Sequence, residues 1–93
     1  MQGEKYDSTG FVPRTGKRAP AQIEIGKRAR ARRAELGLSQ MALAERIGLH
    51  FTFVSEVERG ERNVSLSSLL RLADGLEMNA GVLVDGLHWD DDH

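Results

Sequence analysis

Two short helices joined by a glycine turn are predicted for residues 39–60, and this stretch constrains the fold of the 93-residue chain most strongly. Ser39 can begin the first helix, because its hydroxyl can accept a hydrogen bond from a backbone N–H of the first turn. Gly48 can end that helix, since glycine enters the left-handed conformation without steric cost. Apolar residues recur between them at roughly helical spacing, and they are Met41, Leu43, Ala44 and Ile47.

The second helix of this pair is predicted to begin near His50 and to run to Arg59, with Gly60 as its stop. Val54 and Val57 fall on one side of it. The opposite side carries mostly short polar or charged side chains, and these residues are Phe51, Thr52, Ser55, Glu56 and Arg59. A helix pair that hides one stripe and presents the other can lie in a groove, which is the helix-turn-helix arrangement.

One helix is predicted before this pair, from Ile23 to Leu36, and Gly37 ends it. Its apolar stripe is thin, because only Ile25, Ala29 and Leu36 supply it. We expect two arginine stems to lie along the core surface and to make up for the missing apolar bulk.

Two more helices are predicted after the pair. Ser65 can cap a helix from Leu66 to Leu76, and Asn79 can cap a fifth helix that Gly86 closes. The first of these has the strongest apolar stripe in the chain, which consists of Leu66, Leu69, Leu70, Ala73 and Leu76. No segment alternates in the manner of a strand, so we expect an all-α bundle of five short helices.

Charge is distributed unevenly along the chain. Residues 1–46 contain ten Lys/Arg and five Asp/Glu, whereas residues 47–93 contain three and nine. The most basic part, residues 14–33, has eight Lys/Arg and a single acid, Glu24. Such a density suits contacts with DNA phosphates, but a solvated helix face would have the same composition.

The two ends of the chain lack a helical or strand period. Residues 1–21 are interpreted as a flexible basic N-terminal arm, residues 22–86 as the helix-turn-helix domain and residues 87–93 as a short acidic tail. Arg14, Lys17 and Arg18 could follow DNA phosphates or enter a minor groove, as basic arms do. The alternative is an unstructured leader without a DNA-binding role.

Several functions are excluded by what the composition lacks. There is no cysteine, no apolar run that approaches a membrane span and no secretory apolar core, so a cytoplasmic location is expected. No catalytic constellation can be assembled, so neither an enzyme nor a cofactor is expected. His88 and His93 beside aspartates lack the preorganised geometry of a tight metal site, and no metal is expected.

Several short motifs occur at the spacing of one known family. They are Arg33, Leu-Ser-Gln at 38–40, Leu-Ala at 43–44, Val-Ser at 54–55, Glu-Arg-Gly at 58–60 and Leu-Ala at 72–73. With these motifs, residues 25–83 resemble the Xre-type helix-turn-helix domain of phage repressors. The resemblance is closer still to the controller proteins of restriction–modification operons, whose subgroup has a similar sequence to Glu-Arg-Asn-Val-Ser at 61–65.

The resemblance implies a domain that dimerises and binds double-stranded operator DNA through the major groove. The residues implied to face the bases are His50, Phe51, Thr52, Ser55 and Glu56. Those implied to hold phosphates are Gln40, Arg59, Arg62 and Asn63. Arg33 and Glu58 are implied to form a structural ion pair between the first and third helices.

The sequence departs from the family's pattern at two positions. Controller proteins usually have arginine, the commonest reader of guanine, where this chain has Phe51. Its ring could contact thymine methyl groups, or it could fold back over Val54 or Ile47. Arg32 stands where the family has leucine or isoleucine, which raises the question of how the first helix packs.

Two further assignments have alternatives. Glu56 could accept a hydrogen bond from cytosine N4, or it could be a solvent-exposed acid that contacts no DNA base. A dimer interface is predicted at Leu83, Val84, Leu87 and Trp89, whereas Trp89 could instead pack on the fourth helix of its own chain. The alternative to a DNA-binding regulator is a protein-interaction module or an antitoxin with the same fold, and RNA polymerase is a possible further partner.

Overall fold

The computed structural model describes residues 19–88, and this part of the chain folds into five α-helices without a strand. They are α1 (Pro20–Glu35), α2 (Gln40–Ile47), α3 (Phe51–Glu58), α4 (Leu66–Gly75) and α5 (Ala80–Val84). The predicted all-α, five-helix fold is confirmed. The predictions for Arg14, Lys17, Arg18, Trp89 and His93 lie outside the described residues.

Helix α1 begins earlier than predicted. Its first residue is Pro20, three positions before Ile23, and the preceding residue Ala19 has extended φ and ψ angles. Proline suits the first helical position, because its fixed φ is helical and its missing N–H would have no partner there. The side chain of Gln22 accepts a hydrogen bond from Ala19 N at 3.2 Å. Residues 20–21, which were assigned to the arm, therefore belong to the helix.

The predicted caps of α2 and α4 are present, whereas the side chain of Asn79, predicted to cap α5, makes no capping hydrogen bond. Ser39 Oγ accepts a hydrogen bond from Ala42 N at 3.0 Å, and Ser65 Oγ accepts one from Ser68 N at 3.1 Å. Gly48 ends α2 with a φ of 69°, in the left-handed region. The turn between α2 and α3 is therefore as short as the sequence predicted.

Every helix contributes to one hydrophobic core. Its largest fully buried side chains belong to four leucines and two valines, namely Leu43, Leu72, Leu76, Leu83, Val54 and Val57. Ala29 is the buried apolar side chain that α1 supplies. As the thin apolar stripe of α1 predicted, that helix contributes little to the core, and α2 to α5 supply most of the buried side chains.

Helix α4 and the residue after it bury only part of the predicted stripe, together with Leu72, which lies outside that stripe. Leu72, Ala73 and Leu76 are buried, whereas Leu66 is 72% exposed and Leu70 is 48% exposed. The helical period allowed two overlapping stripes, and contacts with α2 and α5 select the one that contains Leu72. Leu66 and Leu70 therefore form part of the apolar surface.

Arginines of α1 contact the carboxyl ends of other helices. Arg32 Nε donates to Leu76 O, just after α4, at 2.9 Å. Arg28 Nη1 donates to Val82 O in α5 at 3.0 Å and to Asp85 O, just after α5, at 2.9 Å. Cations are favourable there because the last carbonyls lack helical partners and carry the negative end of the helix dipole. The position of Arg32 is thereby explained, and part of the basic density of α1 has a structural role.

Arg71 and Arg46 make the same kind of contact elsewhere. Arg71 Nη1 lies 3.4 Å from Ile47 O at the end of α2, and Arg46 Nη1 donates to Gly75 O at 3.1 Å at the end of α4.

Within residues 19–88, none of the helices has the length and apolar composition needed to cross a membrane. The predicted cytoplasmic location stays a prediction.

Candidate nucleic-acid interface

Helix α3 has one buried side and one polar side. Its buried side chains are Phe53, Val54 and Val57. Phe53 was missed in the sequence, although its spacing to the two valines follows the helical period. Thr52 is exposed on the other side, where Ser55 and Glu56 are partly exposed. The predicted division into a core stripe and a polar stripe is therefore present in α3.

Phe51 lies at the first position of α3, directly after the exposed residue His50. Its side chain is 44% exposed, so the ring is not hidden over Val54 or Ile47. An aromatic ring in this position offers apolar contact and no hydrogen-bond donor. Of the two alternatives for Phe51, the exposed ring fits the structure.

Arg33 and Glu58 form a bidentate ion pair that joins α1 to α3. Arg33 Nε lies 2.6 Å from Glu58 Oε2, and Arg33 Nη2 lies 2.9 Å from Glu58 Oε1. The side chains are 16% and 4% exposed, respectively. Arg33 Nη1 also donates to Leu38 O at 2.8 Å, which ties the pair to the segment before α2. This contact fixes the orientation of three helices around one carboxylate.

The hydrogen bond to Glu58 raises the pKa of Arg33 above its ordinary value. Burial lowers this pKa and the negative charge of Glu58 raises it, but the hydrogen bond is the largest of the three effects. Arg33 therefore stays protonated at every pH at which the fold can be studied. The carboxylate of Glu58 always faces a full positive charge.

Gln40 takes part in this cluster. Its Nε2 donates to Glu58 Oε1 at 2.9 Å, although the sequence interpretation assigned it to a DNA phosphate. The amide nitrogen has a second N–H, and Gln40 is the first residue of α2, where backbone N–H groups lack helical partners. Gln40 is therefore held in place by Glu58 at a helix end that favours anions.

The loop after α3 returns its arginines to the polar side of that helix. Arg59 Nη1 hydrogen-bonds Ser55 Oγ, and Arg59 Nε lies 3.0 Å from Glu61 Oε1. Arg62 Nη1 lies 2.7 Å from Glu56 Oε1. Arg59 and Arg62, predicted to hold phosphates, are thus joined to Ser55 and Glu56, predicted to face bases, in one polar surface of α3 and the following loop.

Glu56 is ion-paired with Arg62, a contact that the sequence interpretation did not include. The physical reason is the turn at Gly60, whose φ of 74° brings the loop back toward α3. This places Arg62 beside a carboxylate six residues earlier in the chain. A sequence pattern for one helix cannot reveal this contact, because it depends on the path of the loop.

The predicted dimer interface needs one correction. Leu83 has no exposed surface, because it packs in the core of its own chain, and it cannot offer a surface to a second one. Val84 is exposed, Leu87 is partly exposed, and Trp89 lies outside residues 19–88.

Among residues 19–88, no three His, Asp or Glu side chains come together in a way that could hold a metal ion.

Comparisons with known proteins place the chain among regulators of one type. The helix-turn-helix family HTH_3 matches residues 30–83. The control protein C.SmaI of Serratia marcescens is 43% identical over 60 residues, which cover 64% of this chain and 71% of that protein. The predicted resemblance to controller proteins is thereby confirmed.

Two solved controller proteins have the same fold. The restriction-modification controller protein C.AhdI from Aeromonas hydrophila matches with a TM-score of 0.65 and 44% identity, over 67% of this chain and 94% of that one. The controller protein C.Esp1396I, solved as a tetramer in complex with its natural 35 base-pair operator, matches with a TM-score of 0.64 and 30% identity. That match covers 69% of this chain and 84% of the other.

Proposed function

We propose that this chain, which belongs to the HTH_3 family of helix-turn-helix proteins, binds a two-fold symmetric DNA operator as a homodimer. The chain is a helix-turn-helix transcription regulator, like the controller proteins to which it is similar. The observation that carries the finer proposal is the connected polar surface of α3 and the following loop. It combines short side chains that fit a major groove with arginines that suit phosphates.

Sequence readout is assigned to the exposed side of α3. Thr52 and Ser55 have hydroxyls that can donate or accept, and His50 lies at the entry of the helix. Phe51 is assigned to the methyl group of thymine, because an exposed ring can make apolar contact there. An operator read by this chain therefore differs from one read through an arginine at the same position.

Phosphate binding is assigned to the two edges of this surface. Gln40 lies at the N-terminus of α2 on one edge, and Arg59, Arg62 and Asn63 follow α3 on the other. These contacts hold the protein in register on the duplex without reading sequence. The Arg33–Glu58 pair joins α1 to α3, and Gln40 links it to α2.

Dimerisation is assigned to the α4–α5 side of the domain. Four apolar side chains are exposed there, and they are Leu66, Leu70, Val82 and Val84. Covering them with the same surface of a second chain would remove apolar area from water. A two-fold dimer places its two α3 helices in successive major grooves about 34 Å apart.

We expect substitutions of Arg59 and Thr52 to affect DNA binding in different ways. Arg59→Gln should weaken binding to all duplexes and reduce the salt slope by about 1, because one phosphate contact is lost. Thr52→Ala should change which base is preferred at one position of each half-site, with a discrimination change of about 1–3 kcal/mol. Fluorescence anisotropy titrations against a set of single-base operator variants, at several salt concentrations, measure both effects.

Arg46→Gln is the matched control for Arg59→Gln. Arg46 also pairs with an exposed carboxylate, that of Glu77 at 2.9 Å, but it lies at the far end of α2 from Gln40. It should leave the salt slope unchanged. A shift in base preference for Arg59→Gln as large as that for Thr52→Ala would contradict the assignment.

The alternative is a protein-interaction module or an antitoxin. Among residues 19–88, no contact is explained by this alternative and left unexplained by the DNA-binding proposal. Binding to RNA polymerase stays a prediction. Neither is needed to account for the polar surface of α3 and its loop.

A further inference from the structure

We propose that Glu56 determines DNA specificity by acting through Arg62, as a positioning residue, and not by contacting a base. This inference rests on the proposed DNA-binding function and deepens it. It starts from one ion pair, in which Arg62 Nη1 donates to Glu56 Oε1 at 2.7 Å. The two residues belong to different parts of the interface, since Glu56 is in α3 and Arg62 follows it in the loop.

A second contact fixes the same guanidinium. The Arg62 Cζ atom lies 5.3 Å from the centroid of the Phe53 ring, within the range of a cation–π interaction. Phe53 is itself buried in the core. The carboxylate and the ring that contact Arg62 both belong to α3. These two contacts therefore fix the position of Arg62 relative to that helix.

The pair lies at the surface of the domain, where a DNA phosphate can approach it. The side chain of Glu56 is 30% exposed and that of Arg62 is 47% exposed. A DNA phosphate that approaches Arg62 meets a cation whose charge is already compensated by a carboxylate. It also meets the repulsion of that carboxylate. Arg62 thus adds little attraction for a duplex that remains at a distance.

A closely docked duplex meets a different situation. The guanidinium has five N–H donors, and the hydrogen bond to Glu56 is donated by Nη1. Other N–H groups of Arg62 can therefore bind a phosphate that comes within hydrogen-bond distance while the ion pair persists. Only a duplex that fits the surface of α3 brings its phosphates that close, so the pair favours the operator over other sequences.

Glu56→Gln tests this device, because the amide keeps the shape of the side chain and removes its charge. We expect non-specific duplex to bind about fivefold more tightly at 50 mM salt, with a slope of log K against log salt that is steeper by about 0.9. Affinity for the selected operator should change less than twofold, as a rough expectation, since the operator already draws on Arg62. The specificity ratio therefore falls.

Combining Glu56→Gln with Arg62→Gln separates an effect through Arg62 from a direct effect of the carboxylate. In the Arg62→Gln background, Glu56→Gln should change the salt slope by less than half as much as in the unaltered protein. Anisotropy titrations with operator and scrambled duplexes give all four values of the cycle. The operator for these titrations is the sequence selected by the unaltered protein from a random duplex pool.

Glu77→Gln is the matched control. Glu77 also pairs with an exposed arginine, Arg46, but it lies outside α3 and the loop that follows it. It should leave both the salt slope and the specificity ratio unchanged. Circular dichroism melts of each variant show whether the fold is kept. Arg62→Lys repeats the test with the charge retained and the planar guanidinium with its several N–H donors lost.

Two results would overturn the inference alone. An equal effect of Glu56→Gln in both backgrounds would mean that the carboxylate repels phosphate directly. Loss of preference at one base position in the sequences selected by Glu56→Gln would make Glu56 a base reader. A failure of the unaltered protein to bind any duplex would overturn the proposed function together with this inference.

Discussion

Replacing Glu58 by glutamine is expected to lower the free energy of unfolding by about 3 kcal/mol, the lower end of the range for breaking a buried pair. The substitution keeps the shape of the side chain but leaves the charge of Arg33 without a counter-charge, in a site where Arg33 is only 16% exposed. Urea denaturation measures the loss, with an unchanged m-value as evidence that only stability has changed. For a domain of this size, the melting temperature should fall by roughly 12–24 °C.

Glu35→Gln is the control for this prediction. Glu35 pairs with Arg32 at 3.0 Å, but its side chain is 66% exposed, so its loss should cost less than about 1 kcal/mol. Adding Arg33→Met to Glu58→Gln should recover part of the lost stability, because no unpaired charge then remains. Equal losses for Glu58→Gln and Glu35→Gln would contradict a structural role for the Arg33–Glu58 pair.

Gly26→Ala is expected to destabilise the domain by about 2–3 kcal/mol, even though alanine is the better helix former. A Cβ atom at Gly26 would lie 3.0 Å from Glu58 O and would overlap Val57 O. Backbone carbonyls of α3 cannot turn away as a flexible side chain can, so α1 would have to shift. The same shift would strain the Arg33–Glu58 contact, and thermal melts should show the loss.

Gly81→Ala provides the comparison. Gly81 is also helical, in α5, but no heavy atom of a neighbouring part lies within 4 Å of the position that an added methyl group would take. The substitution should be neutral or stabilise the domain by up to about 1 kcal/mol, because alanine restricts the unfolded chain. If Gly26→Ala proved as mild as Gly81→Ala, the close approach of α1 to α3 would not limit stability.

Local features of the fold could be predicted from the sequence because their physical causes are local. Ser39 and Ser65 cap their helices through backbone N–H groups three residues away, and Gly48 ends α2 by its own φ angle. The predicted order of five helices follows from these stops and from the helical period. The early start of α1 was also visible in the sequence, since Pro20 favours the first helical position.

Features that depend on contacts between distant segments could not be predicted in this way. The apolar period of α1 is weak, and the close approach at Gly26 reveals itself only once α3 is in place. Arg28 and Arg32 looked like a basic surface, but their partners are carbonyls more than 40 residues away in sequence. The period of α4 allowed two faces, and packing alone decided that Leu72 is buried.

The candidate interface shows the same division. The polar stripe of α3 was predictable from one helix, and the Arg33–Glu58 pair was implied by a family resemblance. The contacts of Glu56 with Arg62 and of Gln40 with Glu58 were not predicted, because they join separate segments. Leu83 was placed at a dimer interface by its apolar neighbours, and its burial depends on packing against the rest of the chain.

Selection of bound sequences from a random duplex pool, with the stoichiometry of the bound complex measured in parallel, tests the central proposal most directly. We expect a two-fold symmetric consensus, half-sites about one helical turn apart and two chains per site. The base opposite Phe51 should be thymine in preference to guanine. Recovery of no consensus, with only weak and salt-sensitive binding, would contradict the proposal that this chain is a dimeric, sequence-specific operator-binding regulator.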